Sequence, residues 1–184
     1  MIYVTIYIMN KRNMSEFYKR CRLMYNVDEV VLYGSNGVCK IKEISKQKLA
    51  GTVMEYYVLK PLFSQISTLF IPTNNEALVS KMRHILSEKA IRDILDNLSV
   101  TPEWIDGKNE RFDFCKETIA SGDFEAIVNL IRMLHFHEKE QNSKGRHLHI
   151  SDERFLREAE KMACDEIEYA LNIERSEIMP MLLK

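Results

Sequence analysis

The stretch MYNVDEVVLYGSNGVCKIK, residues 24–42, decides the fold of the first half of the chain. Its segment VDEVVLY is short and rich in β-formers, and it ends at GSNG (34–37). An Asn-Gly pair is a strong hairpin signal, because both central positions of a type I′ turn need positive φ. The segment CKIK (39–42) then alternates apolar and polar residues. The stretch therefore predicts two antiparallel strands joined by a type I′ turn.

Two more strands follow. MEYYVLK (54–60) is rich in Tyr and Val and is closed by Pro61, and STLFI (67–71) is ended by Pro72. Four short strands with tight connections predict a small antiparallel barrel or a curled sheet.

Residues 87–184 have helical periodicity instead. Four or five helices of this size predict a small bundle, so the fold class is α+β. The predicted boundaries come from capping and breaking residues, and they are Ser87 to Pro102, 109 to Ser121-Gly122, Asp123 to Gln141, Ser151 onward, and a short last helix after Ser176. Between the two halves, Leu78, Met82 and Ile85 repeat as in a helix.

The net charge of −1 conceals an uneven distribution. Residues 1–23 carry +4, residues 24–76 carry 0 and residues 77–184 carry −5. With 46% hydrophobic residues in a chain of 184, one domain or two small ones can form a core, which excludes intrinsic disorder. No segment has the basic footprint usual for nucleic-acid binding.

The first 23 residues stand apart from the rest. Their apolar run MIYVTIYIM is shorter than the ~20 residues of a spanning helix, and its basic residues follow rather than precede it, unlike a signal peptide. We expect an upstream extension from a misassigned start, a strand added to a sheet edge or a frayed tail. The expected location is the cytoplasm, with no membrane association.

No catalytic motif was found: the sequence lacks G-x-S-x-G, a phosphate-binding loop, H-E-x-x-H and an EF-hand loop. The four cysteines form no C-x-x-C pair, which favours free thiols. Two carboxylate pairs, Asp152-Glu153 and Asp165-Glu166, lie on helices rich in Lys and Arg, which predicts solvated faces with i, i+4 ion pairs.

The histidine pairs His135-x-His137 and His147-x-His149 leave a metal site open as an alternative. An i, i+2 pair on a helix points to different sides, however, and no cysteine or carboxylate motif completes a known ligand pattern. The pattern favours surface or capping histidines, and we expect no metal and no cofactor.

Trp104, the single tryptophan, lies between two predicted helices. It is either a core residue that packs the helices together or an exposed aromatic that inserts into a base step or a partner pocket. The residues alone favour the core position.

The order of these features resembles the CarD family of bacterial transcription regulators. The resemblance covers residues 24 to about 175, and its matches are Tyr33, Gly37-Val38, Gly51, Tyr56 to Lys60, Pro72, Trp104 and Ala120 to Asp123. It implies a Tudor-like barrel over 24–86 that binds the β subunit of RNA polymerase. It implies a helical domain over 87–184 that meets promoter DNA, and a short final strand within 78–86 rather than a helix.

The resemblance also implies a non-enzymatic mechanism, in which Trp104 wedges at the upstream edge of the melted bubble and the open complex lives longer. Implied DNA contacts are Trp104, Lys108, Arg111 and Lys116, and candidate polymerase contacts are Gln47, Tyr57, Lys60 and Phe70. Gln47 and Phe70 stand where some members have arginines. Of the basic run that some members carry after the tryptophan, only Arg111 keeps its charge, so we expect weak DNA binding without polymerase.

Two other interpretations stay open. A diverged adaptor would keep the barrel and bind another protein without a DNA role, which the acidic helical half favours. A metal-dependent enzyme would use the histidine pairs. For the leading interpretation we expect a monomer.

Overall fold

The computed structural model describes residues 25–49, 52–64, 68–98 and 102–184. The predictions for residues 1–23 therefore lie outside the described residues. The five strands are β1 (Val30–Tyr33), β2 (Val38–Leu49), β3 (Thr52–Pro61), β4 (Leu69–Pro72) and β5 (Met82–His84). The six α-helices of the described ranges are α1 (Glu76–Val79), α2 (Glu88–Asp96), α3 (Lys108–Ser121), α4 (Phe124–Ser143), α5 (Ile150–Leu171) and α6 (Arg175–Leu182).

The strands form one antiparallel sheet in the order β4-β3-β2-β1-β5. The longest ladder joins β2 to β3 and contains a register shift between Ile41 and Glu43. The predicted α+β class is confirmed. In the described ranges no ladder joins β4 to β5, so the sheet is open there and barrel closure is not observed.

The first hairpin forms as predicted, but the predicted type I′ turn is wrong. Gly34–Asn36 form a 3₁₀ turn, and positive φ angles occur at Gly34 (47°) and Gly37 (78°) rather than at an Asn-Gly pair. The Tyr33 backbone N–H donates to the Gly37 carbonyl at 3.0 Å. The reason is tertiary: α5 passes so close to Gly37 that an added Cβ would collide with the Asp165 carboxylate.

Residues 76–86 contain both a short helix, as the periodicity predicted, and a short strand, as the resemblance implied. Leu78 lies in the short α1, and Met82 begins β5, which pairs with β1. The short final strand implied by the resemblance is thus confirmed, while the helical repeat from Leu78 to Ile85 is wrong beyond Val79.

Most helix boundaries are confirmed, but α2 ends at Asp96 and does not extend to the predicted break at Pro102. The Ser87 and Asp123 side chains cap α2 and α4 by accepting from the backbone N–H groups of Ala90 and Ala126. Gly122, at φ 66°, ends α3 in the left-handed conformation that glycine favours. Ser151 is not a cap, because His149 caps α5 and its ring nitrogen accepts from the Ser151 N–H.

The two halves share a hydrophobic core. Leu32 and Val38 of the sheet belong to the same buried cluster as the helices, beside residues such as Ile131 and Ile167. A second cluster, centred on Ile41 and Leu59, lies within the sheet. In the described part of the chain, no helix is long and apolar enough to cross a membrane.

Three of the four carboxylates predicted to lie on solvated faces are buried, whereas Glu153 forms the predicted i, i+4 ion pair with Arg157. Asp152, Asp165 and Glu166 are at most 3% exposed, and each has a cationic partner. The i, i+4 spacing indicated the neighbouring Lys and Arg side chains as partners. It could not show that this face of α5 packs against the rest of the molecule.

Candidate functional site

Strand β4 forms one edge of the sheet and carries an exposed aromatic side chain. It pairs with β3, with Phe70 opposite Val58 and Ile71 opposite Tyr57. Phe70 is 49% exposed whereas Ile71 is 5% exposed, because successive strand residues point to opposite faces. An edge strand also has a row of backbone N–H and C=O groups available for another strand. This edge can therefore bind a partner through backbone and side chain together.

The other residues predicted to contact polymerase occupy different environments. Lys60 is exposed at the end of β3, and Gln47 is half-buried near the far end of the β2–β3 hairpin, opposite Met54. Lys60 lies two residues along β3 from Val58, the residue opposite Phe70, and therefore on the same face of the sheet as Phe70. Gln47 is separated from β4 by β3 and does not form a compact patch with Phe70.

Tyr57 lies in the sheet core at 4% exposure. Its hydroxyl accepts from the Tyr25 backbone N–H at 3.3 Å, and the two rings meet edge to face with centroids 6.0 Å apart. Burial raises the pKa of the Tyr57 hydroxyl, which keeps it neutral. A partner could reach this side chain only if the core opened, so we do not carry Tyr57 into the contact surface.

Trp104 lies in the loop before α3, half-buried against the helical core. Its indole is parallel to the imidazole of His137 on α4, with ring centroids 3.5 Å apart and 4° between the planes. The Arg111 guanidinium carbon lies 4.3 Å from the centroid of the same indole. Both alternatives weighed for this residue are partly met, because the ring packs between helices and keeps an exposed portion.

Arg111 is a structural cation. It is 6% exposed and donates to the Asp152 carboxylate from Nε at 3.2 Å and Nη2 at 3.0 Å. Its Nη1 donates to the carbonyls of Ile105 and Asp106 at 2.7 and 3.3 Å. The group implied to bind a phosphate is therefore occupied inside the protein, where it holds the Trp104 loop.

The electrostatics around the indole favour a neutral imidazole. Burial is the main cause that lowers the pKa of His137 from its ordinary value near 6.5, and the Arg111 charge adds to it. Glu140, whose carboxylate lies 3.8 Å from Nδ1, acts in the opposite direction. A neutral ring stacked on Trp104 carries no charge that would attract a phosphate.

Lys108 and Lys116 are both exposed on α3, eight residues and thus about 12 Å apart along the helix. Five exposed carboxylates lie near them along the chain, at Glu103, Asp106, Glu110, Asp113 and Glu117. Five carboxylates against two lysines leave this surface without the positive potential that binds a polyanion in the absence of other contacts.

Lys116 also lines a cavity of about 230 Å³ between the 3₁₀ turn and α3. Lys81, which follows α1, lines the same cavity. The sequence did not single out Lys81, because nothing in its local pattern shows that the turn and α3 meet.

The histidines do not assemble a metal site. His137 stacks on Trp104, and His149 caps the N-terminus of α5. Across the described ranges, no group of three or more His, Cys, Asp or Glu side chains could hold a metal ion.

Three cysteines are buried free thiols, as favoured from the sequence. Burial raises the pKa of Cys39 to about 12 and those of Cys115 and Cys164 to about 11, so these thiols are unreactive near neutral pH. Cys21 lies outside the described residues.

Sequence reasoning missed the residues that support Trp104. His137 and Asp152 are 33 and 48 positions away along the chain, and their pairing depends on how α4 and α5 pack. The available signal was Arg111, a cation next to an aromatic residue, but it equally suits a surface that binds nucleic acid.

A family model described as CarD-like/TRCF RID domain matches residues 25–85. The match begins at the first described residue and ends after β5, so it covers the sheet together with α1. No curated protein matches the chain.

Proposed function

Because residues 25–85 are a CarD-like RNA polymerase-interacting domain, we propose that this protein is a non-enzymatic transcription regulator that binds the polymerase β subunit and prolongs the promoter open complex. The domain implies interaction with RNA polymerase. The β subunit as the target, the contact with promoter DNA and the effect on the open complex are our proposals. We propose that it acts as a monomer in the cytoplasm.

The open edge of β4 is the proposed polymerase contact. Strand addition would give backbone hydrogen bonds, and Phe70 would supply the buried aromatic anchor that dominates many interfaces. Lys60 and Gln47 are proposed as flanking contacts. The neutral charge of residues 24–76 suits a protein partner rather than a polyanion.

Trp104 is the proposed contact with the edge of the melted bubble. A wedge must offset an unstacking cost of a few kcal/mol, and it does so better when its ring is already held in place. Stacking on His137 and the contact with the Arg111 guanidinium hold the indole in that position. We therefore propose that Trp104 inserts its exposed portion without leaving the stack, and that Arg111 supports it from within.

Lys108 and Lys116 are the proposed phosphate contacts, and they are few. Phosphate neutralisation supplies most non-specific affinity, so two lysines among five carboxylates support weak binding to free DNA. Once the sheet is bound to polymerase, the promoter DNA is present at a high effective concentration near the helical half, which favours its binding there. A mobility shift on promoter DNA without polymerase tests this point, since tight binding at about 0.15 M salt would contradict it.

The proposed mechanism needs no catalytic group. A ligand that binds the melted promoter better than the closed one shifts the population by its differential affinity. A tenfold longer-lived open complex requires only about 1.4 kcal/mol.

The test begins with binding to isolated RNA polymerase and to a purified β lobe. The lifetime of open complexes is then measured with and without the protein. We expect binding to the lobe and a longer lifetime.

An adaptor without a DNA role is the second candidate, and the exposed carboxylates around Trp104 favour it. It predicts binding to the β lobe with an unchanged open-complex lifetime. That pair of results would contradict the regulator and support the adaptor.

A further inference from the structure

We propose that Glu166 and Arg83 are positioning residues, which fix the helical half on the sheet and thereby set where Trp104 lies relative to the polymerase-binding edge. This inference rests on the proposed function.

Glu166 of α5 is 1% exposed, and both of its carboxylate oxygens accept hydrogen bonds from the guanidinium of Arg83 of β5. The two N–H···O distances are 2.5 and 2.6 Å, and the Leu86 backbone N–H donates to the same carboxylate at 3.0 Å. A planar guanidinium with two parallel bonds fixes direction as well as distance. The carboxylate thus holds both β5 and the segment that leaves it.

Arg83 makes a further bond into the helical half. Its Nε donates to the Gly122 carbonyl at 2.6 Å, at the C-terminal cap of α3. This helix end carries a partial negative charge that favours a cation. One side chain of the sheet therefore contacts two helices of the bundle.

A second attachment lies beside the first. Asp165 is 2% exposed and pairs with Lys161 at 2.9 Å and with Arg175 at 2.8 Å. Lys161 also donates to the Asn36 carbonyl in the β1–β2 turn at 2.7 Å. α5 is thus connected to the sheet at two places, through Glu166 to β5 and through Lys161, which Asp165 holds, to the turn.

The other end of α5 holds the tryptophan loop. Asp152 lies in its first turn and binds Arg111, which contacts Trp104. Asp152 and Glu166 are separated by fourteen residues, or about 21 Å of helix. Because an α-helix of this length is stiff, α5 fixes the Trp104 loop at one end and the sheet at the other.

The sheet provides the matching geometry. β5 lies at one end of the strand order and β4 at the other. Polymerase bound at β4 would therefore position Trp104 through the sheet, the Arg83–Glu166 pair and α5.

A role in stability alone does not account for this pair. Buried ion pairs are often no more stabilising than apolar residues of similar volume, and in some proteins they select one arrangement over others. The shared core around Leu32 and Val38 holds the two halves together through hydrophobic contacts, which are less directional than the Arg83–Glu166 hydrogen bonds. We therefore assign orientation to Arg83 and Glu166.

The test uses the double variant Arg83→Gln/Glu166→Gln, which leaves no buried charge unpaired. Its matched control is Arg92→Gln/Glu88→Gln, which removes an exposed i, i+4 pair on α2. Spin labels on Lys46→Cys and Lys139→Cys, both exposed, report the distance between the sheet and α4. Cys21→Ser in the background and the burial of the other three thiols keep labelling specific.

We expect the Arg83/Glu166 variant to broaden the distance distribution and to shorten the open-complex lifetime by about threefold or more. Its affinity for the β lobe stays within about twofold, because the β4 edge is unchanged. The control changes none of the three. If the double variant does not fold, Arg83→Lys keeps the charge, loses the bidentate geometry and is read in the same way.

An unchanged distance distribution would overturn the proposal. A broadened distribution with an unchanged lifetime would overturn the positioning role. If the wild-type protein does not prolong open complexes, the proposed function fails and the positioning role fails with it, while the distance measurement still reports whether the pair orients the two halves.

Discussion

The imidazole of His137 lies flat against the indole of Trp104, with ring centroids 3.5 Å apart. α4 thereby supports a loop that belongs to neither helix beside it. Burial lowers the pKa of His137, so this support is strongest when the ring is neutral.

We expect acid to weaken the fold through His137. Its pKa is lowered in the folded state, so the unfolded chain binds the proton more tightly. The contribution of His137 to the free energy of unfolding is fully present above pH about 6.5, and it is lost as the pH falls through the lowered pKa of this residue. The free energy of unfolding, measured from pH 8 to 5, should therefore fall more steeply in the wild type than in His137→Phe.

The His137→Phe comparison removes one titrating group among several. Glu140 raises the pKa of His137 and so opposes the effect of burial. Burial raises the pKa of Glu160, so protonation of Glu160 stabilises the folded protein. His137 is not among the groups that shift the pKa of Glu160, so the effect of Glu160 cancels in the difference. The pKa of Glu140 is lowered partly by His137, so the difference measures His137 together with its interaction with Glu140. Identical pH slopes would show that His137 titrates as it does in the unfolded chain.

Trp104→Ala tests the proposed wedge. We expect the affinity for the polymerase β lobe to stay unchanged, because Trp104 and β4 belong to different halves. The open-complex lifetime should fall to near the value without the protein, since the proposed insertion is lost. His137→Ala is the matched control, because it removes the stack but keeps the indole, and it should shorten the lifetime less. Equal lifetimes for wild type and Trp104→Ala would exclude the wedge.

Arg111 illustrates what the sequence could and could not predict. Its position after the tryptophan indicated a phosphate contact, yet the structure buries it against Asp152, 41 positions away. Such long-range pairing leaves no periodic trace. Ser87 and Asp123 were predicted correctly because a cap depends only on the next three residues.

Arg111→Ala should destabilise the protein by about 3–5 kcal/mol, because it leaves Asp152 buried without its cation. Arg111→Met/Asp152→Leu should recover most of that loss, since no charge then remains unpaired. Arg92→Ala, which removes an exposed pair with Glu88, should cost under about 0.5 kcal/mol. Denaturant unfolding checks all three, and a mild Arg111→Ala would mean that its pairing is absent in solution.

Phe70→Ser tests the β4 edge. The side chain is 49% exposed, so we expect little change in the unfolding free energy but a loss of binding to the β lobe of about tenfold or more. Val53→Ser is the matched control, because Val53 is 63% exposed on β3, away from β4. Binding assays with the isolated lobe measure both. Equal affinities for the two variants would place the interface elsewhere.

Gly37→Ala tests the close approach of α5 to the first turn. Gly37 has φ 78° and ψ −152°, a region that is essentially restricted to glycine, and an added Cβ would meet Asp165 and Lys161. Gly34→Ala is the control, because Gly34 also has positive φ, at 47°, but has open space where a Cβ would be. We expect about 1–2 kcal/mol for Gly34→Ala and a larger loss for Gly37→Ala, since the collision adds to the backbone strain. Equal losses in denaturant unfolding would mean that α5 lies farther from the turn and that Gly37 is outside the glycine-restricted region.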